Sequence, residues 1–167
     1  MEPIRFSVKM KTLYLFDFLY VNSYSGFRAV INYTFSGIAI VALIFGYGST
    51  PISLIALILL ASLFTVIEPL MLLFKAFRQV KLNPAFKNEI NYCFEEEKFT
   101  VSQGEQSQEA PWEMVLLAKE SFKSIILFTG NNNAIILPKD CIGDKLNDFK
   151  LLLKKVRPNE SEKLRTV

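Results

Sequence analysis

Apolar and polar residues alternate in the opening stretch PIRFSVKM: Ile4, Phe6, Val8 and Met10 fall on one side, Arg5, Ser7 and Lys9 on the other. Period two predicts a half-buried β-strand. The next stretch, TLYLFDFLYVNSY, is rich in Leu, Tyr and Phe, with Thr12 placed to cap a helix. Leu13, Phe16, Leu19 and Tyr20 share one helical face, so a short helix at a membrane surface is expected, its rings at headgroup depth.

The pattern then loses its polar half. Residues 29–67 carry no charge. The segments 29–48, AVINYTFSGIAIVALIFGYG, and 51–74, PISLIALILLASLFTVIEPLMLLF, both approach the ~20 apolar residues that cross a hydrocarbon core. GYGSTP between them predicts a tight turn, and the pair predicts a transmembrane helical hairpin. Gly37, Gly46, Gly48, Ser36, Ala39 and Ala42 would let its helices approach closely. Arg5, Lys9, Lys11 and Arg28 precede the hairpin, Lys75, Arg78, Lys81 and Lys87 follow it, and the turn has no basic residue. The positive-inside rule then places both termini in the cytoplasm.

Glu68 is the only charged residue between Arg28 and Lys75, and Pro69 follows it. An acid inside a membrane is a candidate functional group by default. From Pro51 to Ile67 a helix runs ~25 Å at ~1.5 Å per residue, which puts Glu68 near the inner boundary. Pro69 removes one helical hydrogen bond and crowds the Thr65 carbonyl, so a kink is expected. Glu68 then faces headgroups, the partner helix or another copy of the chain.

KAFRQVKLNP predicts that the second helix continues past the apolar block and stops at Asn83-Pro84. Beyond it the period returns to two. Ile90, Tyr92 and Phe94 share a face, as do Phe99 and Val101, with EEEK as the hairpin turn between them. GEQSQ at 104–108 reads as the next turn, followed by EAPWEMVLLAKES, SIILFTG, the loop GNNN and AIILPKD. About five short antiparallel strands are expected there by turn spacing, with the N-terminal strand pairing onto their sheet. Ile142, Leu146, Phe149, Leu153 and Val156 then predict an amphipathic helix of about four turns, with Lys145, Lys150, Lys154 and Lys155 off its apolar stripe. A polar, frayed tail is expected after it.

Composition sharpens this by exclusion. Apolar residues are 51% of 167 and net charge is +3, from 19 basic and 16 acidic residues, mixed rather than striped. Nucleic acid is therefore not an expected partner. The chain has no histidine, and Cys93 and Cys141 lie far apart, so no metal site and no cofactor are expected. The acidic run Glu95, Glu96 and Glu97 lacks calcium-loop spacing and reads as a solvated turn. With no nucleophile motif, P-loop or metal motif, no enzymatic activity is expected.

YCFEEEKFTVSQ, Trp112 in PWEMV, SIILFT and AIILPKD, in that order before a final helix, resemble the YcxB-like family of small bacterial membrane proteins. The resemblance implies a short N-terminal segment, two transmembrane helices and a small C-terminal domain, in the bacterial inner membrane. Strands followed by one C-terminal helix also resemble a pleckstrin-homology-like (PH-like) domain. The expected class is an α+β membrane protein: residues 1–28 an N-terminal strand and interfacial helix, 29–82 the hairpin, 83–158 the PH-like domain, 159–167 a polar tail. The expected function is a non-catalytic binding or regulatory module that contacts the bilayer and a protein partner or another copy of itself. The alternative is an oligomeric transport or immunity factor with Glu68 at a helix–helix interface. Candidate functional residues are Glu68, Trp112, expected at the start of a strand as a core anchor, and Lys139, expected as a solvated lysine on the sheet rim after Pro138, within reach of an anionic headgroup or a carboxylate.

Overall fold

The computed structural model describes residues 2–47, 50–130, 133–161 and 164. The chain is α+β, with helices near the N-terminus, two antiparallel sheets and a C-terminal helix. β1 (Ile4–Val8) leads into α1 (Thr12–Ser23), α2 (Phe27–Ile44), α3 (Pro51–Ser62) and α4 (Glu68–Leu82). A π turn over Leu63–Ile67 joins α3 to α4. Then come β2 (Ile90–Phe94), β3 (Lys98–Gln103), β4 (Gln106–Pro111), β5 (Leu117–Glu120), β6 (Ser124–Phe128) and β7 (Ala134–Pro138). The short α5 (Lys139–Ile142) and the longer α6 (Leu146–Val156) close the fold.

The first sheet has the order β1-β2-β3-β4 and the second β5-β6-β7. β1 pairs with β2 as its alternation predicts, Ile4 opposite Phe94 and Val8 opposite Ile90. The inward faces of both sheets meet in one core: Ile4, Val8, Tyr92, Phe94 and Phe99 from the first, Ile125, Leu127 and Leu137 from the second. Phe149, Leu152 and Leu153 of α6 seal it. β6 reads as a continuous apolar run because both of its faces are covered. Ile125 and Leu127 point into the main core, while Phe128 and the neighbouring Ile136 on β7 lie against α1.

α1 therefore has a different role from the surface helix expected. Tyr14, Leu15 and Asp17 are its buried residues, and Leu13 is exposed. From Leu13 to Val21 every position but Asp17 is apolar, so the sequence offers no clean stripe to read. Neighbours decide instead: Tyr14 and Leu15 pack with Met10, Ala76 of α4 and Ile136 of β7. α1 is the wedge between the long helix and the second sheet. Thr12 does not cap it; Lys11 occupies that position without a side-chain bond.

Helix Pro51–Leu82 is long and apolar enough to cross a membrane, and no residue of its Pro51–Ser62 part is buried. The other expected span is shorter, with an apolar stretch of Ala29–Ile44. Its start holds Asn32 and Ser36, which with Ala39 form a buried stripe at helical spacing. Of the expected small residues among those described, only Ser36 and Ala39 are buried, and a Cβ added at Gly37 or Gly46 would meet nothing within 4 Å, so these glycines do not serve a close approach. Gly48 and Ser49 of the expected turn lie outside the described residues. Thr50 caps α3 through a reciprocal pair with Ser53. The helix stops at Leu82, and the Asn83 side chain accepts from Ala85 N–H.

Four expectations about the region after α4 change. GEQSQ is not all turn: Gln106 to Gln108 open β4, an exposed edge strand whose polar sequence hides it. Trp112 does not start a strand but a 3₁₀ turn, Trp112–Met114, so β4 and β5 are separate and the strands number seven among the described residues. The C-terminal helix is shorter than four turns, because Gly143, at φ +61°, breaks it from α5. Asn131 and Asn132 of the GNNN loop lie outside the described residues. The tail is docked in its described part: Ser161 and Leu164 are buried, and the Arg157 guanidinium donates to Val115 O at 2.9 Å.

Candidate functional site

The π turn and Pro69 make the first site. In the π register Glu68 N–H reaches back five residues to Leu63 O. Pro69 has no N–H with which to reach Phe64 O in turn. That orphaned carbonyl accepts instead from the Tyr24 hydroxyl. The expected proline kink is thus realised as a π turn, satisfied by a side chain from the α1–α2 connection. Gly26, at φ +67°, makes that connection tight enough to bring Tyr24 there.

The same tyrosine lies 3.2 Å from Glu68 Oε2, and Asn32 Nδ2 donates to that oxygen at 3.2 Å. Of the three surroundings open to Glu68, its bonds go to the partner helix α2 and the turn before it. Tyr20 stacks on Tyr24 with centroids 4.6 Å apart, and Tyr33 closes the ring cluster at 5.7 Å. Glu68 also borders a cleft of about 640 Å³ between α1 and α4, lined by Leu19, Asn22 and Ser23 on one side and Met71, Leu72, Phe74, Lys75 and Arg78 on the other.

Lys139 occupies a second, separate polar site and is not a solvated rim lysine. Its ammonium lies 2.7 Å from Glu120 Oε1 and donates to Ser121 O at 2.8 Å. Lys150, which the helical pattern assigns to the wet side of α6, is buried and lies 3.0 Å from Glu120 Oε2. The Glu120 side chain is only 4% exposed, so two cations share one desolvated carboxylate. Ser121 links this trio to a second acid: its hydroxyl donates to buried Asp17 of α1, which also accepts from Lys123 N–H at 3.2 Å. Asp17 and Glu68 thus serve different sites. Trp112 is a core anchor: it is buried against Phe94 and Phe99, and its indole N–H donates to Glu95 O at 2.9 Å.

With these positions fixed, residues 94–153 match the family model described as YcxB-like protein. That segment is YcxB-like. No curated protein and no solved structure matches the chain. The YcxB-like segment runs from the last residue of β2 into α6 and contains Trp112, Glu120, Lys139 and Lys150. Glu68, Tyr24, Asn32 and Asp17 lie outside it, as does β1, although β1 completes the first sheet. The family match therefore covers most of the core and the Glu120, Lys139 and Lys150 cluster, but neither the core residues Ile4, Val8, Tyr92 and Leu164 nor the cleft beside Glu68.

Sequence reasoning missed Tyr24, Asn32, Glu120 and Lys150. Asn32 had a usable signal: with Ser36 and Ala39 it marks one small, polar face on an apolar helix. Glu120 and Lys150 had none, since each is one charge among many.

Among the described residues no group of His, Cys, Asp and Glu could hold a metal ion. Burial pushes the Tyr92 hydroxyl up to about 12 and raises Tyr14 above its ordinary value. The Cys141 thiol, half-buried at α5, is also pushed up, chiefly by desolvation. Alkylation of Cys141 by iodoacetamide, followed by mass spectrometry across pH, is expected to rise with a midpoint above the ordinary thiol value of ~8.5. A midpoint at or below that value would show a solvated thiol.

Proposed function

We propose that the chain is a membrane-anchored, non-catalytic binding or regulatory module of the bacterial inner membrane. α2 and the α3–α4 helix form a transmembrane hairpin inserted between the first and second strands of a PH-like domain, and both termini are cytoplasmic. One observation carries the reading: β1 and β2, which flank the helices, are hydrogen-bonded neighbours. Strands that pair lie on one side of a bilayer, so whatever spans between them must cross an even number of times. The exposed apolar surface of Pro51–Ser62 and the seven strands sealed by α6 support the same reading. The contacts of Glu68 with Tyr24 and Asn32 of its own chain favour an anchoring role over the alternative of a transport or immunity factor with Glu68 on a path.

The test is a Tyr47→Cys variant treated in intact cells with a membrane-impermeant maleimide. Tyr47 is exposed after α2, whereas the native Cys93 and Cys141 serve as internal controls. Position 47 is expected to react in intact cells, and Cys93 only after lysis. Labelling of Cys93 in intact cells, or of neither cysteine until lysis, would overturn the topology.

A further inference from the structure

We propose that the cleft between α1 and α4 binds the headgroup of an anionic phospholipid, with Lys75 and Arg78 holding its phosphate. The inference rests on the membrane-anchored reading and assigns a ligand to its boundary. Glu68, Met71, Leu72, Lys75 and Arg78 follow one another at spacings of three, one, three and three, so they share one face of α4. Leu19, Asn22 and Ser23 do the same on α1. The cleft is the groove between these two faces.

Its chemistry is ordered along the helix. Met71, Leu72 and Phe74 come first, then two cations one turn apart, ~4.5 Å by helical rise. Both long side chains can therefore reach one phosphate. Among the described residues neither Lys75 nor Arg78 forms an ion pair. Asn22 and Ser23 supply neutral donors from the opposite wall. An amphiphile with apolar chains followed by a phosphate has the same order, whereas a free phosphate would leave the apolar half unused. Glu68 does not cancel the cations: it is ~10 Å along the axis from Lys75, and its Oε2 is occupied by Asn32 and Tyr24. Its carboxylate at the deep end keeps the phosphate at the level of Lys75 and Arg78.

The test uses the full chain in phosphatidylcholine nanodiscs carrying a minority of phosphatidylglycerol, with co-purified lipid read by native mass spectrometry after mild detergent release. The wild-type chain is expected to retain phosphatidylglycerol over phosphatidylcholine. Lys75→Gln with Arg78→Gln should cut that preference about tenfold, the loss expected from one or two charge-assisted hydrogen bonds. Lys81→Gln with Lys87→Gln removes the same charge outside the cleft and should leave the preference nearly unchanged. Met71→Trp fills the cleft without changing charge and should lower it. Equal loss in the two charge pairs, or full retention in Met71→Trp, would show general attraction to an anionic surface and overturn the site. A chain that fails to enter nanodiscs at all would refute the membrane anchor itself, and the site with it.

Discussion

Glu120→Ala is expected to lower the unfolding free energy by about 3–5 kcal/mol, the cost of removing one partner from a buried ion cluster. The substitution strands Lys150, whose side chain is 8% exposed, and Lys139, at 18%, with no carboxylate between them. Such a loss is a large share of the ~5–15 kcal/mol that holds a typical domain folded. Denaturant unfolding of the detergent-solubilised chain, followed by the fluorescence of Trp112, measures it, since Trp112 is the sole tryptophan and is buried. The companion variant Glu120→Leu with Lys139→Met and Lys150→Met removes all three charges and should recover most of the loss, because well-packed apolar groups often match a buried ion network. A loss below ~1 kcal/mol in Glu120→Ala would mean that both lysines reach water, as in an exposed pair.

Phe94→Ala should cost a similar ~3–5 kcal/mol by a different route, loss of packed volume. The Phe94 ring is fully buried and lies within 4.7 to 5.9 Å, centroid to centroid, of Phe149, Phe6, Phe99, Trp112 and Tyr92. These rings come from β1, β2, β3, the turn after β4, and α6. No single neighbour can move in to fill the cavity without leaving another strand short of contacts. Phe122→Ala is the control: its ring is 80% exposed at the β5–β6 turn, so it should change stability by no more than ~0.5 kcal/mol. Equal effects at the two positions would show that Phe94 is not the centre of the core.

What the sequence disclosed depended on whether a residue's role shows in its periodicity. β1, β2, β3, β6 and β7 were legible because period two or an unbroken apolar run leaves a local trace. β4 was not, because an exposed edge strand needs no apolar residue and QSQEAP offers only Ala110 to the core. The break at Gly143 was missed because the apolar spacing continues across it. The burial of Lys150 was illegible for another reason: a helical wheel assigns lysine to water, and only the carboxylate brought by β5 reverses that. At the Glu68 site Pro69 signalled a disturbance correctly. Tyr24 as the group that repairs it could not be read, since the partners are 40 residues apart in sequence.

The pairing of β1 with β2 also sets an order of events during synthesis. Val8 and Ile90 are partners, so 90 − 8 = 82 residues must be made before the first rung can close. At ~5–20 residues per second that is a wait of several seconds. Until then Ile4, Phe6 and Val8 lack the β2 partners they have in the folded chain. The first sheet cannot be completed until the intervening helices have returned the chain to its starting point. Completion of that sheet is thus a report on whether the helices were placed correctly.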